Sequence, residues 1–125
     1  MAVQELNATN IENTITGSKI LVIDFWAPWC GPCKRFGPVF EAAADKNPDI
    51  VFAKVNTDEQ QEIAASFEIK SIPTLAIFKD QTLIYHEPGA LPEEALEEIV
   101  KQVRTLDMEK VKEEIAKQEG KEDKE

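Results

Sequence analysis

The sequence predicts an α/β fold. Short apolar runs rich in β-branched residues alternate with segments whose apolar residues recur at helical spacing. Beyond residue 104 the chain becomes densely charged. We therefore expect a folded domain over residues 1–104 and a charged helical C-terminal extension over residues 105–125.

Length and charge exclude several classes of function. The 125 residues are 42% hydrophobic, which suits one domain with a core. A net charge of -10 argues against a nucleic-acid partner, because phosphate binding needs clustered cations. The longest apolar run is interrupted by Asp24 and Pro28 and is too short to span a bilayer. No secretory signal is recognisable at the N-terminus, so we expect a cytoplasmic protein.

The first half of the chain reads as β-α-β-α. Thr9 and Glu12 predict a capping box for a short first helix. A strand follows over residues 20–26, and its almost continuous apolar run is typical of the centre of a sheet. A helix follows the cysteines and ends before Pro48, and then come a strand over 50–56 and a helix over 58–67.

The second half predicts a hairpin and a helix. The runs 75–78 and 83–86 are separated by KDQT, a turn without the glycine that such turns favour. Pro92 starts the next helix. Its apolar stripe and that of the extension lie on different faces, so one straight helix would not bury both. Leu106 before a capping Asp107 predicts a break near residue 105 and a new short helix.

The chain contains two cysteines, Cys30 and Cys33, at a strand-to-helix junction. In a reducing compartment such a pair is catalytic or metal-binding more often than a structural disulfide. Zinc needs about four ligands, whereas the chain adds only one distant histidine, His86. We therefore expect no metal site. A chance pair of buried cysteines is the remaining alternative.

The position of the pair separates the roles of its two thiols. A cysteine attacks a disulfide as the thiolate, and the positive end of a helix stabilises that anion most at Cys30. Cys30 is therefore the candidate nucleophile, and Cys33, one turn further in, is the candidate resolving thiol. Gly31 lets a substrate chain approach, and Pro32 suits the first helical turn because it lacks an N–H.

The motif WCGPCK, preceded by an Asp-bearing strand and followed by SIPT and PGA, resembles the thioredoxin family over about residues 5–104. The resemblance implies a thioredoxin fold, with a central mixed β-sheet flanked by helices. It also implies a thiol-disulfide oxidoreductase, specifically a protein disulfide reductase that works by dithiol–disulfide exchange. No cofactor would be bound, and a separate reductase would reduce the Cys30–Cys33 disulfide.

The resemblance also assigns roles to two charged residues. Asp24 would lie under the active site and exchange a proton with Cys33. Burial in an apolar strand would independently raise the pKa of this carboxyl group. Lys54 matches a family lysine close to that carboxylate. The alternatives are a water-facing Asp24 at a strand edge and an exposed Lys54 without a role.

Pro73 matches the family's cis-proline, which implies that the backbone of Ile72 pairs with an extended substrate segment. The resemblance then implies a flat docking patch formed by Trp29, Gly31, Pro32, Ile72, Pro73, Gly89 and Ala90.

The expected partners are thioredoxin reductase and disulfide-containing client proteins, and the expected state is a monomer that serves electron transport and cell redox homeostasis. An oxidase or isomerase is a second reading, which the Gly-Pro pair between the cysteines disfavours. A non-catalytic binding module that uses the apolar patch is a third. KDQT, Ser71 and Glu87-Pro88 depart from the common family pattern and bear on client preference rather than on the reaction.

Overall fold

The computed structural model describes residues 2–122, with side chains described as far as residue 119. It contains five strands and five helices in that range. The strands are β1 (Val3–Glu5), β2 (Ile20–Trp26), β3 (Val51–Asn56), β4 (Thr74–Lys79) and β5 (Thr82–Pro88). The helices are α1 (Ile11–Gly17), α2 (Gly31–Lys46), α3 (Gln61–Ser66), α4 (Glu93–Thr105) and α5 (Met108–Glu122).

The strands form one mixed sheet in the order β1-β3-β2-β4-β5. β1 and β2 run parallel to β3, whereas β4 is antiparallel to both β2 and β5. β2 is therefore the central strand, and six of its seven residues are buried. The thioredoxin fold, with helices on both sides of a central mixed sheet, is confirmed.

Side-chain alternation along β2 builds two cores. Ile20 and Val22 pack with α2 and α4 on one face, and Ile23 and Phe25 pack with α1 and α3 on the other. By the same alternation, Asp24 points to the face that α2 covers. The strand that carries the acid therefore lies directly under the helix that carries the cysteines.

Two expectations about local structure were wrong, and one strand was missed. The edge strand β1 was not predicted, because three residues are too few to show a period. Asn10, not Thr9, precedes α1, and it makes no side-chain capping bond; its amide oxygen instead accepts the N–H of Asn7 at 2.8 Å. α3 covers only six residues, because a turn occupies 57–59.

The predicted break between the last two helices is present. α4 ends at Thr105, and α5 begins at Met108 with Asp107 as its cap, whose carboxylate accepts the N–H of Glu109 at 3.0 Å. α5 is longer than the short helix expected, with 15 residues. The last part of the predicted extension, residues 123–125, lies outside the described residues.

Candidate active site

The N-terminus of α2 places the two cysteines. Cys30 is the cap residue in an extended conformation, and its Sγ accepts the backbone N–H of Cys33 at 3.2 Å. Pro32 in the first turn has no N–H that would need a partner. The two sulfurs are joined in a disulfide with Cα atoms 5.2 Å apart. The oxidised pair thus lies where unpaired helix N–H groups and the helix dipole favour negative charge on Cys30.

A groove of about 500 Å³ opens beside this turn. Cys30 lines it and Cys33 does not, although both residues are only 4% exposed. Fractional exposure therefore does not separate the two cysteines, whereas their positions relative to the groove do. The predicted patch residues in its wall are Trp29, Gly31, Pro32 and Ile72.

The loop before β4 forms the wall opposite α2. The Ile72–Pro73 peptide bond is cis, as the resemblance implies, and the Ile72 carbonyl oxygen lies 3.8 Å from Cys30 Sγ. The N–H of Gly89 donates to the Pro73 carbonyl at 2.8 Å. Gly89 has φ +119°, a backbone conformation that residues with a side chain rarely adopt. Pro73, Gly89 and Ala90 do not line the groove itself.

Trp29 is the most exposed large apolar side chain of the described residues, at 69%. Its indole N–H donates to the carboxylate of Asp58, at 3.0 Å to the nearer oxygen. The bond holds the ring in the lining of the groove. Sequence reasoning missed Asp58, because an acidic residue after a strand indicates a helix start rather than a partner 29 positions away.

Asp24 is buried, at 4% exposed, so the alternative of a water-facing strand-edge residue is wrong. Burial raises the pKa of its carboxyl group from 3.8 to about 7, against the opposing effect of Lys54. One of its oxygens has no hydrogen-bond partner within residues 2–122. A buried acid with a pKa near neutral can accept or donate a proton in the pH range in which a thiol also does so.

Lys54 is a partly exposed neighbour of that acid. Its side chain is 33% exposed, its Nζ lies 3.7 Å from a carboxylate oxygen of Glu5, and it stands 5.1 Å from the centre of the Trp26 ring. Lys54 is paired with Asp24 across β2 and β3. Its positive charge acts on the buried acid, because it lowers the pKa of Asp24.

Two further features concern the described residues 2–122. No group of three or more side chains suited to holding a metal ion is found there. None of the helices in that range is long and apolar enough to cross a membrane.

A redox-active disulfide at a helix start, beside a cis-proline loop and above a buried carboxyl group, defines a thiol-disulfide oxidoreductase. The thioredoxin family model matches residues 2–102. The chain belongs to the thioredoxin family, and its activity is that of a protein disulfide reductase working by dithiol–disulfide exchange through Cys30 and Cys33.

Similar proteins come from several lineages. The chain is 51% identical to putative thioredoxin 2 of Streptomyces coelicolor, over 93% of this chain and 87% of that protein. It is 39% identical to a thioredoxin of Mycoplasmoides gallisepticum, over 76% and 95% respectively. Oxidised mitochondrial thioredoxin 3 of Saccharomyces cerevisiae superposes with a TM-score of 0.74 at 38% identity, over 81% of this chain and 95% of that one.

Proposed function

We propose that Cys30 is the attacking thiolate and Cys33 the resolving thiol of the disulfide reductase. The observation that carries this assignment is the placement of Cys30: its sulfur caps α2, accepts the Cys33 N–H and lines the groove. A hydrogen bond from the backbone and the helix dipole both favour the thiolate over the thiol at this position.

The proposed reaction transfers two electrons to the client. The Cys30 thiolate attacks one sulfur of the client disulfide and forms a mixed disulfide, while the other client sulfur leaves as a thiolate. Cys33 then attacks Cys30 Sγ, which breaks the mixed disulfide and releases the second client thiolate. The client ends as a dithiol and the Cys30–Cys33 pair ends oxidised.

Asp24 would take the proton that Cys33 loses as it attacks. The acid is supported in this role by its burial, by its pKa of about 7 and by its position on the face of β2 that α2 covers. Lys54 would lower the pKa of Asp24, because a nearby cation stabilises the charged carboxylate.

An extended client segment would lie across the groove and pair with the backbone of Ile72, next to Cys30. The exposed ring of Trp29 and the flat surface of Gly31 and Pro32 would support it from the α2 side. Pro73, Gly89 and Ala90 would hold the opposite loop in place, consistent with the bond between Gly89 and Pro73.

The remaining assignments concern the cellular setting. We place the protein in the cytoplasm as a monomer, with thioredoxin reductase as electron donor and disulfide-containing proteins as clients. A pair that must be re-reduced after each turnover needs a donor and a reducing compartment. We assign catalysis to residues 1–104 and no catalytic part to residues 105–125.

The test is insulin disulfide reduction with dithiothreitol as the electron source. We expect the wild type to accelerate it and Cys30→Ser to be inert; Cys33→Ser, first reduced and then freed of dithiothreitol, should accumulate a mixed disulfide with insulin that mass spectrometry detects. Both variants retain one thiol, so each is the control for the other. A wild-type rate in Cys30→Ser, or a mixed disulfide through Cys33, would contradict the assignment.

A further inference from the structure

The groove beside Cys30 contains one cationic side chain. Lys70 lines it, and none of the other lining residues is acidic or basic apart from the cysteine itself. Lys70 is exposed and forms no ion pair with a carboxylate among the side chains that the structure describes. Its ammonium group is therefore available to a bound segment.

A second cation lies on the α2 side of the groove. A guanidinium nitrogen of Arg35 is 3.7 Å from the point that a Cβ on Gly31 would occupy, so the side chain lies against a lining residue. Arg35 is exposed and, within the described side chains, has no ion-pair partner. Lys70 in the groove lining and Arg35 beside the lining residue Gly31 are thus two cations at the groove that Cys30 lines.

No acidic side chain is among the residues that line the groove. Asp58 lies outside the groove lining and accepts the indole N–H of Trp29. The whole chain has a net charge of -10, which repels acidic proteins at long range. At physiological salt, however, the Debye length is about 8 Å, so a docked segment responds mainly to the charges beside it.

We propose that the groove prefers client segments that carry an aspartate or glutamate next to the cysteine that Cys30 attacks, and that Lys70 and Arg35 are the residues that confer this preference. The inference rests on the proposed role of Cys30 as the nucleophile. Lys70 and Arg35 would act by binding the client, not by taking part in the exchange.

The test uses three synthetic peptides with the same disulfide, which differ only in having Glu, Gln or Lys beside the attacked cysteine. We expect the wild type to show the highest kcat/KM for the Glu peptide and the lowest for the Lys peptide, with steps of about two- to fivefold, the usual strength of exposed charge pairs. The differences should shrink as salt rises toward 1 M. Lys70→Glu and Arg35→Glu should weaken the preference, and the double variant should reverse it.

Lys101→Glu is the matched control, because Lys101 is exposed on α4 and does not line the groove. We expect it to keep the wild-type order of the three peptides. Circular dichroism and reduction of the Gln peptide verify that each variant is folded. Equal kcat/KM for all three peptides in the wild type would overturn the inference, as would an effect of Lys101→Glu equal to that of Lys70→Glu. Failure of the wild type to reduce any of the peptides would overturn the proposed function as well.

Discussion

Asp24 and Lys54 are paired across the two central parallel strands, and alternation along the strands points both side chains to the face that α2 covers. The acid is buried and the lysine is partly exposed. Burial disfavours the charged carboxylate, and the cation partly offsets that effect. The pair therefore sets the pH at which the acid under the cysteines changes its charge.

Replacement of the acid should make the protein more stable above neutral pH. The folded-state pKa of Asp24, about 7, lies above the ordinary value of 3.8, so ionisation favours the unfolded state as pH rises between these values. The penalty is absent at lower pH and complete above the folded pKa. We expect Asp24→Asn to gain about 3 to 4 kcal/mol over the wild type between about pH 4 and pH 8, and to turn over more slowly.

Urea denaturation across that pH range measures this gain. Asp45→Asn is the matched control, because it makes the same chemical change at an exposed position on α2. A stability difference between Asp24→Asn and the wild type that stays constant with pH would contradict the buried titration.

Removal of the cation should move the titration of the acid. Lys54 lowers the pKa of Asp24, so Lys54→Met should raise this pKa, whereas Lys54→Arg should leave it nearly unchanged. Carbon NMR of the Asp24 carboxyl group follows the change directly. Identical titration curves for the two variants would show that the lysine charge does not reach the acid.

Lys79 at the end of β4 should be a major stabilising residue. It is 5% exposed, and its ammonium donates to the carbonyls of Val103, Arg104 and Leu106 at 2.6, 3.2 and 3.0 Å. A cation suits the C-terminal end of a helix, and the buried carbonyls would lose their partner without it.

We expect Lys79→Met to lower the free energy of unfolding by about 2 to 4 kcal/mol in chemical denaturation. Lys101→Met, an exposed change of the same type, should stay within about 0.5 kcal/mol of the wild type. Equal midpoints for the two variants would mean that water replaces the ammonium at little cost.

The extension should support stability and not catalysis. Met108 is buried and Leu106 supplies a carbonyl to Lys79, whereas every other described side chain of α5 except the half-buried Val111 is exposed. A chain ending at Arg104 should lose about 2 to 4 kcal/mol, and one ending at Glu109 should lose much less. Both should reduce insulin at close to the wild-type rate. A folded but inactive shorter chain would instead assign the extension a part in partner recognition.

A glycine at position 81 should stabilise the hairpin turn between β4 and β5. Asp80 and Gln81 both have positive φ, at 50° and 65°, in the two-residue turn between β4 and β5. Two-residue turns with two positive φ values favour Asp-Gly. Gln81→Gly should exceed Gln81→Ala in stability by about 0.5 to 1 kcal/mol, because both lose the side chain and only alanine retains the unfavourable Cβ. Equal denaturation midpoints would argue against strain at this residue.

The sequence alone determined the features that depend on neighbours along the chain. The apolar run of residues 20–26 is long and β-branched enough to indicate a central strand, and the helical spacing after Cys33 indicates α2. The spacing of the two cysteines at their junction therefore indicated the reactive turn. Asp107 likewise indicated the break before α5, because a helix cap bonds N–H groups two or three residues away.

Only the tertiary structure decided which distant residues meet. Nothing near Lys79 in the sequence indicates that it binds the end of α4, and nothing near Asp58 indicates that it holds Trp29. The strand β1 likewise depends on the register between strands, and the proximity of Lys54 to Asp24 was available only from the family resemblance and not from the residues themselves. Periodicity and capping are local properties of the chain. Contacts between distant residues form only when the helices pack on the two faces of the sheet. A single charged side chain has no periodic pattern in the sequence, so the sequence does not predict its contact partner.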